Sequence, residues 1–395
     1  MSDDGRFPGR TRRRFLRAGA AAGLIGIAGC SGQGTPTPTS AETDDDGGTG
    51  ADAGSGPPAQ IGSAPSPFGD RTISGGVSVA EMPDLSGELT LYAGRGEALV
   101  GELLAFFEEV YPDLDIRPRY NSATELVNQI LTEGSNSPSD VFFSVNAGAL
   151  GALKDEGRTQ ALPDDVLEFV PSQFRDPDGQ WVGTSGRARS IPFNTNELSA
   201  DDVPDDVFAI PETDALRGEM GWAPTYSSFQ AFVTAMRVLN GDDRTREWLT
   251  AMQDAGVEQF SDEFLVSQAV ADGELRAGFA NHYYILRVLA GRPDAPIDVA
   301  FTQNDAGAIF NVAGALVTDT ASDPELASNF VRHLLSAEAQ DYFARTTFEY
   351  PLVPEVEPVG RLPAIDELNP PEGLDLTQLS DLEGTIELLR DVGVL

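Results

Sequence analysis

The chain has 395 residues, with 63 acidic side chains against 26 basic ones, a formal net charge of −37 and one cysteine, Cys30. That length admits two or three domains, one cysteine excludes an intrachain disulfide, and so few bases leave no patch for nucleic-acid phosphates. At molar salt the screening length falls to about 3 Å, so a surface this acidic suits a salty medium and says nothing about the ligand.

At the N-terminus, Thr11-Arg-Arg-Arg-Phe-Leu-Arg17 is a twin-arginine motif, followed by an apolar run from Ala18 to Ala28 and then Ile27-Ala-Gly-Cys30. The run is too short for a stable membrane span. The order of basic region, short apolar region, small residues and cysteine resembles a twin-arginine export signal with a lipobox over residues 1–29. Cleavage before Cys30 and lipidation of its sulfur would leave the mature protein anchored on the extracellular face of the membrane. An uncut N-terminal anchor would place the folded part on the same side. Residues 30–86, rich in Gly, Pro, Ser, Thr and Asp, carry too little apolar surface to offset ordering entropy and read as a disordered tether.

Order is expected from Gly87. Glu88–Ala93 alternates as a strand, Gly94-Arg-Gly96 turns, Glu97–Val110 carries Leu99, Leu103, Phe106, Phe107 and Val110 at helical spacing, and Asp115–Tyr120 returns as a strand. This β-α-β opening predicts a parallel sheet. The Gly94-x-Gly96 pair is no dinucleotide fingerprint, because its third position is Leu99. Helices follow at Ala123–Glu133 and Ala147–Glu156 around a buried strand, Ser139–Ser144, and Gly183–Asn194 is an extended segment able to cross to a second lobe. A helix from Ser228 to Asn240 presents free amides at its start, suited to an anion. Further helices are expected at Arg246–Ala255, Leu265–Asp272, Asp323–Leu335, Ala337–Thr346 and Leu382–Val392, with strands at Ile297–Phe301 and Ala308–Val317.

The stretch Ala280-Asn-His-Tyr-Tyr-Ile-Leu-Arg287 places Tyr283 and Tyr284 at a strand-to-helix junction, with Arg287 on the same helical flank. A phenolate is a hard anionic donor, and a highly charged cation displaces its proton despite a free pKa of about 10. From the residues alone, the pair fits packed interface aromatics as well as a ferric site.

Seven ordered pieces carry a resemblance. They are Leu91-Tyr-Ala-Gly94, Glu133-Gly-Ser-x-Ser-Pro-Ser-Asp-Val-Phe-Phe-Ser144, Ser185-Gly-Arg-Ala-Arg189, Pro224-Thr225, Asn281-x-Tyr-Tyr284, Asp305-Ala-Gly-Ala308 and Glu349-Tyr-Pro-Leu352. From about Leu89 to the C-terminus the chain is similar to the ferric-ion-binding proteins of ABC uptake systems, within the solute-binding proteins related to the transferrins. The resemblance implies an α/β, two-lobed type II periplasmic-binding-protein fold whose hinge is crossed by extended strands. It sets the N-terminal lobe at 87–189 and 300–352 and the C-terminal lobe at 190–299 and 353–395.

The resemblance also implies a ligand set. Tyr283 and Tyr284 match the pair that ligates Fe(III), Tyr226 the place of a third tyrosine in some members, and Arg187 an arginine that holds a synergistic anion such as carbonate. Arg287, Ser185 and Ser227 complete the candidate anion group. Two positions depart: Gly96 stands where many members have a histidine and Val145 where they have a glutamate, and neither side chain binds metal. The implied function is a lipid-anchored, monomeric receptor that captures ferric ion and passes it to a membrane permease and its ATPase. The alternative keeps the fold and takes an organic anion, a phosphonate or a thiamine-like solute. No His-Glu-x-x-His or Gly-x-Ser-x-Gly motif occurs, so the expectation is a binding protein and not an enzyme.

Overall fold

The computed structural model describes residues 71–380 and 382–395. The twin-arginine segment, Cys30 and the tether up to residue 70 lie outside the described residues. The remainder of the expected tether packs: Val79, Met82 and Leu85 are buried, and Arg71 pairs with Asp341 at 2.6 Å. Ordered structure thus begins ahead of Gly87, because three apolar side chains in this Pro- and Gly-rich stretch find a core to enter.

The chain opens as β1 (Gly87–Ala93), α1 (Glu97–Val110), β2 (Leu114–Tyr120), α2 (Ala123–Glu133), β3 (Val141–Ser144) and α3 (Ala147–Asp155). Strands β2, β1 and β3 are neighbours and run parallel, as the opening pattern requires. A short strand β4 (Thr159–Gln160) and helix α4 (Asp164–Leu167) lead to β5 (Val182–Asn194).

Strand β5, 13 residues and about 43 Å long, organises the molecule. The C-terminal lobe follows it with β6 (Met220–Trp222), α5 (Ser227–Asn240), α6 (Asp242–Asp254), β7 (Glu258–Gln259), α7 (Glu263–Asp272), β8 (Ala277–Gly278), β9 (Ala280–Asn281), α8 (His282–Gly291) and β10 (Ile297–Ala300). The chain then returns through β11 (Phe310–Thr318), α9 (Pro324–His333), α10 (Ala337–Tyr342), β12 (Tyr350–Pro351) and the final α11 (Glu383–Asp391). The first half of β5 pairs with β11 and β12, and its second half with β9, β10 and β8. One strand therefore belongs to both lobes.

Two large apolar cores flank that crossing. One gathers Tyr92, Phe107, Phe142, Phe143, Trp181 and Phe330; the other gathers Trp222, Phe229, Phe232, Trp248 and Phe279. Ala300, Ala306 and Ile309 pack in the second core, whereas Phe301 and Phe310 pack with the first, so the chain returns between the cores over residues 300–310. Asp305 holds it there, accepting from Val207 N–H at 2.7 Å. Val353 and Val356 pack with the first core, and Leu376 touches both. The helix expected through Thr346 gives way after Tyr342 to a π turn, Phe343–Thr347, ending at Phe348 in the left-handed region (φ 59°). That turn aims Glu349 inward.

Candidate functional site

A cleft of about 540 Å³ lies where the two lobes meet. Thr124, Val127, Val145, Asn146 and Ala149 form one wall, Tyr226, Ser227, Ser228 and Ala231 the other. Arg187, Asn281, Tyr283, Ile309 and Asn311 line the part next to the crossing strands, and Leu379 and Leu382 come from the tail. Three helix starts point here. Asn146 caps α3 through its side chain, whereas α5 and α8 begin after Tyr226 and Asn281 with no side-chain cap, leaving first-turn amides to polarise the cleft.

Tyr283 and Tyr284 occupy the first turn of α8, so about 100° of helical rotation separates them. Tyr283 lines the cleft; Tyr284 is buried, and its hydroxyl is hydrogen-bonded to that of Tyr226. The Tyr283 and Tyr284 ring centroids are 4.3 Å apart, and those of Tyr226 and Tyr284 6.1 Å. Burial pushes both phenols of the pair above their usual range, and at Tyr284 the neighbouring Tyr283 adds to it. At Tyr283 the Arg187 cation opposes the burial. Both therefore stand as neutral phenols on their own, and a strongly polarising cation is needed to take their protons.

Arg187 is the single cationic side chain among the described cleft residues. Its Nη2 donates to the Val145 carbonyl, and its Nε lies 4.0 Å from Glu349 Oε1. Ser185, two residues earlier on the same face of β5, sits one layer behind: its hydroxyl accepts from Arg95 at 2.9 Å and donates to Glu349 at 2.7 Å. Ser227 is exposed on the cleft wall. Arg287 does not line the cleft. It is exposed one turn further along α8, with its guanidinium 5.4 Å from the Phe264 ring centre and 5.8 Å from that of Tyr284. Gly96 caps α1, and Val145 offers the cleft an isopropyl group.

The two histidines serve elsewhere. His282 is wholly buried; its Nδ1 accepts from Ala188 N–H at 3.1 Å and its ring meets Tyr350 at 4.7 Å. His333 sits between Tyr111 and the Asn329 carbonyl. Among the described residues no group of three His, Cys, Asp or Glu side chains is placed to hold a metal.

Sequence reasoning passed over Ser228, whose buried hydroxyl has no partner, and Asn281 and Asn311, all of which line the cleft. It also missed Arg95. That side chain is 1% exposed, stacks on Phe143 and Phe343, and pairs with Glu349 at 2.6 Å. An arginine between two glycines signalled only a turn.

Residues 102–367 match the model of the bacterial extracellular solute-binding proteins. The chain is 29% identical over 327 residues to the major ferric iron-binding protein of Neisseria meningitidis serogroup A, covering 80% of this chain and 95% of that one. It is 32% identical over 248 residues to iron uptake protein A2 of Synechocystis sp., 60% of this chain and 71% of that one. Its structure resembles iron-bound HitA from Pseudomonas aeruginosa with a TM-score of 0.65 at 26% identity, covering 79% of this chain and all of that one. The architecture this chain shares with that structure is the two-lobed type II periplasmic-binding-protein fold. The strand shared between lobes, the cleft beside it and a family match over most of the ordered chain agree: this protein belongs to the bacterial extracellular solute-binding proteins.

Proposed function

We propose that this protein is the lipid-anchored binding component of an ABC importer, captures Fe(III) through the phenolates of Tyr226, Tyr283 and Tyr284, and delivers it to a permease and ATPase. The observation that carries this reading is the hydroxyl-to-hydroxyl hydrogen bond between Tyr226 and Tyr284, 58 positions apart in sequence, beside the ring of Tyr283. Three phenolates neutralise a trivalent ion, and hard oxygen donors suit a hard cation. The remaining coordination positions go to a synergistic anion such as carbonate, facing the Arg187 guanidinium, the Ser227 hydroxyl and the amides at the start of α5. In this arrangement Ser185 and Arg287 support the anion group from behind and from outside and do not touch the anion.

The lobe bearing the tyrosines does the chemistry, and the other closes over it by bending at β5. The lobe boundaries follow the two apolar cores, with crossings along β5, over residues 300–310 and near Leu376. Export by the twin-arginine route and lipidation at Cys30 complete the reading, and among the described residues no helix is long and apolar enough to cross a membrane. A second reading is favoured by one observation: the wall formed by Val127, Val145 and Ala149 offers no metal donor. It leaves room for an organic anion, a phosphonate or a thiamine-like solute in place of iron.

Metal analysis and a visible spectrum of protein refolded in high salt with ferric citrate and bicarbonate test the proposal. A reddish protein that loses its colour in Tyr283→Phe/Tyr284→Phe is expected. A colourless protein, stabilised against heat by an organic anion and indifferent to iron, establishes the second reading instead.

A further inference from the structure

Arg187 shares its surroundings with a buried carboxylate. Glu349 is 8% exposed, and its Oε2 receives three donors: Arg95 Nη2 at 2.6 Å, Ser185 Oγ at 2.7 Å and Thr347 Oγ1 at 3.1 Å. Its other oxygen, Oε1, faces Arg187 Nε at 4.0 Å, too far for a hydrogen bond, and that Nε is itself buried without a partner. Two guanidinium groups thus share one carboxylate. Arg95 is locked at 1% exposure between Phe143 and Phe343, so the unit of positive charge left over belongs to Arg187, the one that reaches the cleft.

The geometry points to Glu349 as an internal counter-ion of the anion seat, a specificity-determining residue that partly satisfies Arg187 and sets how strongly an anion must bind to displace it. This inference rests on the ferric reading with Arg187 as the anion's partner. A buried pair is screened little by salt, so Glu349 keeps its hold on Arg187 at ionic strengths where surface charges have lost theirs. A halide brings one diffuse charge and meets a guanidinium already half neutralised. A bidentate oxyanion that also ligates the metal gains both a forked hydrogen bond and a metal bond, and wins. The carboxylate therefore filters out halides while admitting carbonate-like oxyanions that also bind the metal. Its neighbours keep it in that role: Arg95 and Arg187 hold the Glu349 carboxyl below the usual range against the effect of burial.

The test uses the whole protein, Glu349→Gln, ferric citrate as iron source and bicarbonate as anion. The amide oxygen preserves an acceptor for Arg95, Ser185 and Thr347 while the charge goes. The bicarbonate concentration giving half the phenolate charge-transfer band is measured at about 0.1 M and about 2 M chloride. Wild type is expected to change less than about twofold between the two, and E349Q to bind bicarbonate about tenfold tighter at low chloride and lose that gain at high chloride. Equal chloride dependence in the two proteins overturns the inference. Absence of the band from wild type defeats the ferric reading itself, a separate outcome. Should E349Q not fold, Glu349→Asp keeps the charge but draws it back toward Arg95; chloride dependence above wild type is then expected, and wild-type behaviour overturns the inference.

Discussion

Glu263 and Arg189 form an ion pair with side-chain exposures of 0% and 1%, inside the lobe that carries the tyrosines. The guanidinium lies 5.5, 5.1 and 5.9 Å from the ring centres of Phe229, Phe232 and Phe279, and Glu263 Oε2 accepts from Asn281 N–H at 3.0 Å. Asn281 starts α8, so the carboxylate both neutralises Arg189 and pins the turn that presents Tyr283 and Tyr284. Glu263→Gln keeps the shape and leaves the cation without a counter-charge in an aromatic cage. Removing one partner of a buried pair costs about 3–5 kcal/mol, and the retained amide oxygen places this variant near the lower end, at about 3 kcal/mol. The rings give no new compensation, because they already attract Arg189 in the native protein. Trp222 and Trp248 belong to this core and Trp181 to the other, so urea unfolding followed by fluorescence in a Trp181→Phe background reads this lobe alone. With a slope of about 2 kcal/mol/M, the midpoint should fall by about 1.5 M. A shift under about 0.3 M would refute the reasoning, since it would mean that Arg189 needs no counter-charge where it lies.

Two further outcomes follow from protons. Because burial raises the Tyr283 and Tyr284 phenols, ferric loading should release about one proton per ligating phenol, and affinity should fall as pH falls; pH-independent loading in a weakly buffered titration would contradict phenolate ligation. Burial holds both His282 and His333 down to about 4. The fold keeps these imidazoles neutral, so an unfolded chain titrating near 6.5 binds protons first. Their contribution is complete above about pH 7 and is lost between about 6.5 and 4, worth up to about 3 kcal/mol each. His333→Phe should flatten the loss of stability between about pH 7 and 4.5 relative to wild type, measured by urea midpoints.

Periodicity reports which side of an element is apolar, and for that reason α1 and α2 stand on the residues their spacing gives, and β5 one residue from its expected start. What periodicity omits is which distant segments share a core. Within the return over residues 300–310 Asp305 reaches Val207, and in the tail Leu376 meets both cores. Neither contact leaves a local trace. Tyr283 and Tyr284 stood out in the sequence as adjacent phenols at a strand-to-helix junction, and Tyr226 came only from the resemblance; the fold brings the three rings together. Arg287 shows the limit of the same logic: a residue four positions after Tyr283 shares its helical flank yet stands one turn farther from the helix start, which is the end that meets the cleft. Ser185, a candidate from the resemblance alone, lies on β5, where its hydroxyl donates to a glutamate 164 positions away.

The distribution of polar groups around the cleft bears on the order of events in the proposed capture. Tyr226 precedes α5, whose Phe229 and Phe232 anchor one core, and Tyr283 and Tyr284 stand in the first turn of α8, which packs against α7 through Ile285 and Val288 in the same lobe. The donors are therefore fixed relative to one another by a single lobe, without help from the other. The opposite wall brings the Val145 carbonyl, Asn146 and small apolar side chains, while Arg187 hangs from the shared strand with one nitrogen on that carbonyl. A metal taken by three phenolates has no need to wait for closure; closure adds exclusion of water and a fixed seat for the anion. On the proposed reading, burial makes phenol deprotonation the costly step, so the metal would enter while water is still present to carry the protons away, and the lobes would close on a complex already formed. Release reverses the sequence, and opening at β5 must precede reprotonation of the tyrosines. Capture and delivery on this account are governed by the same strand that joins the lobes, and the anion seat stands on it.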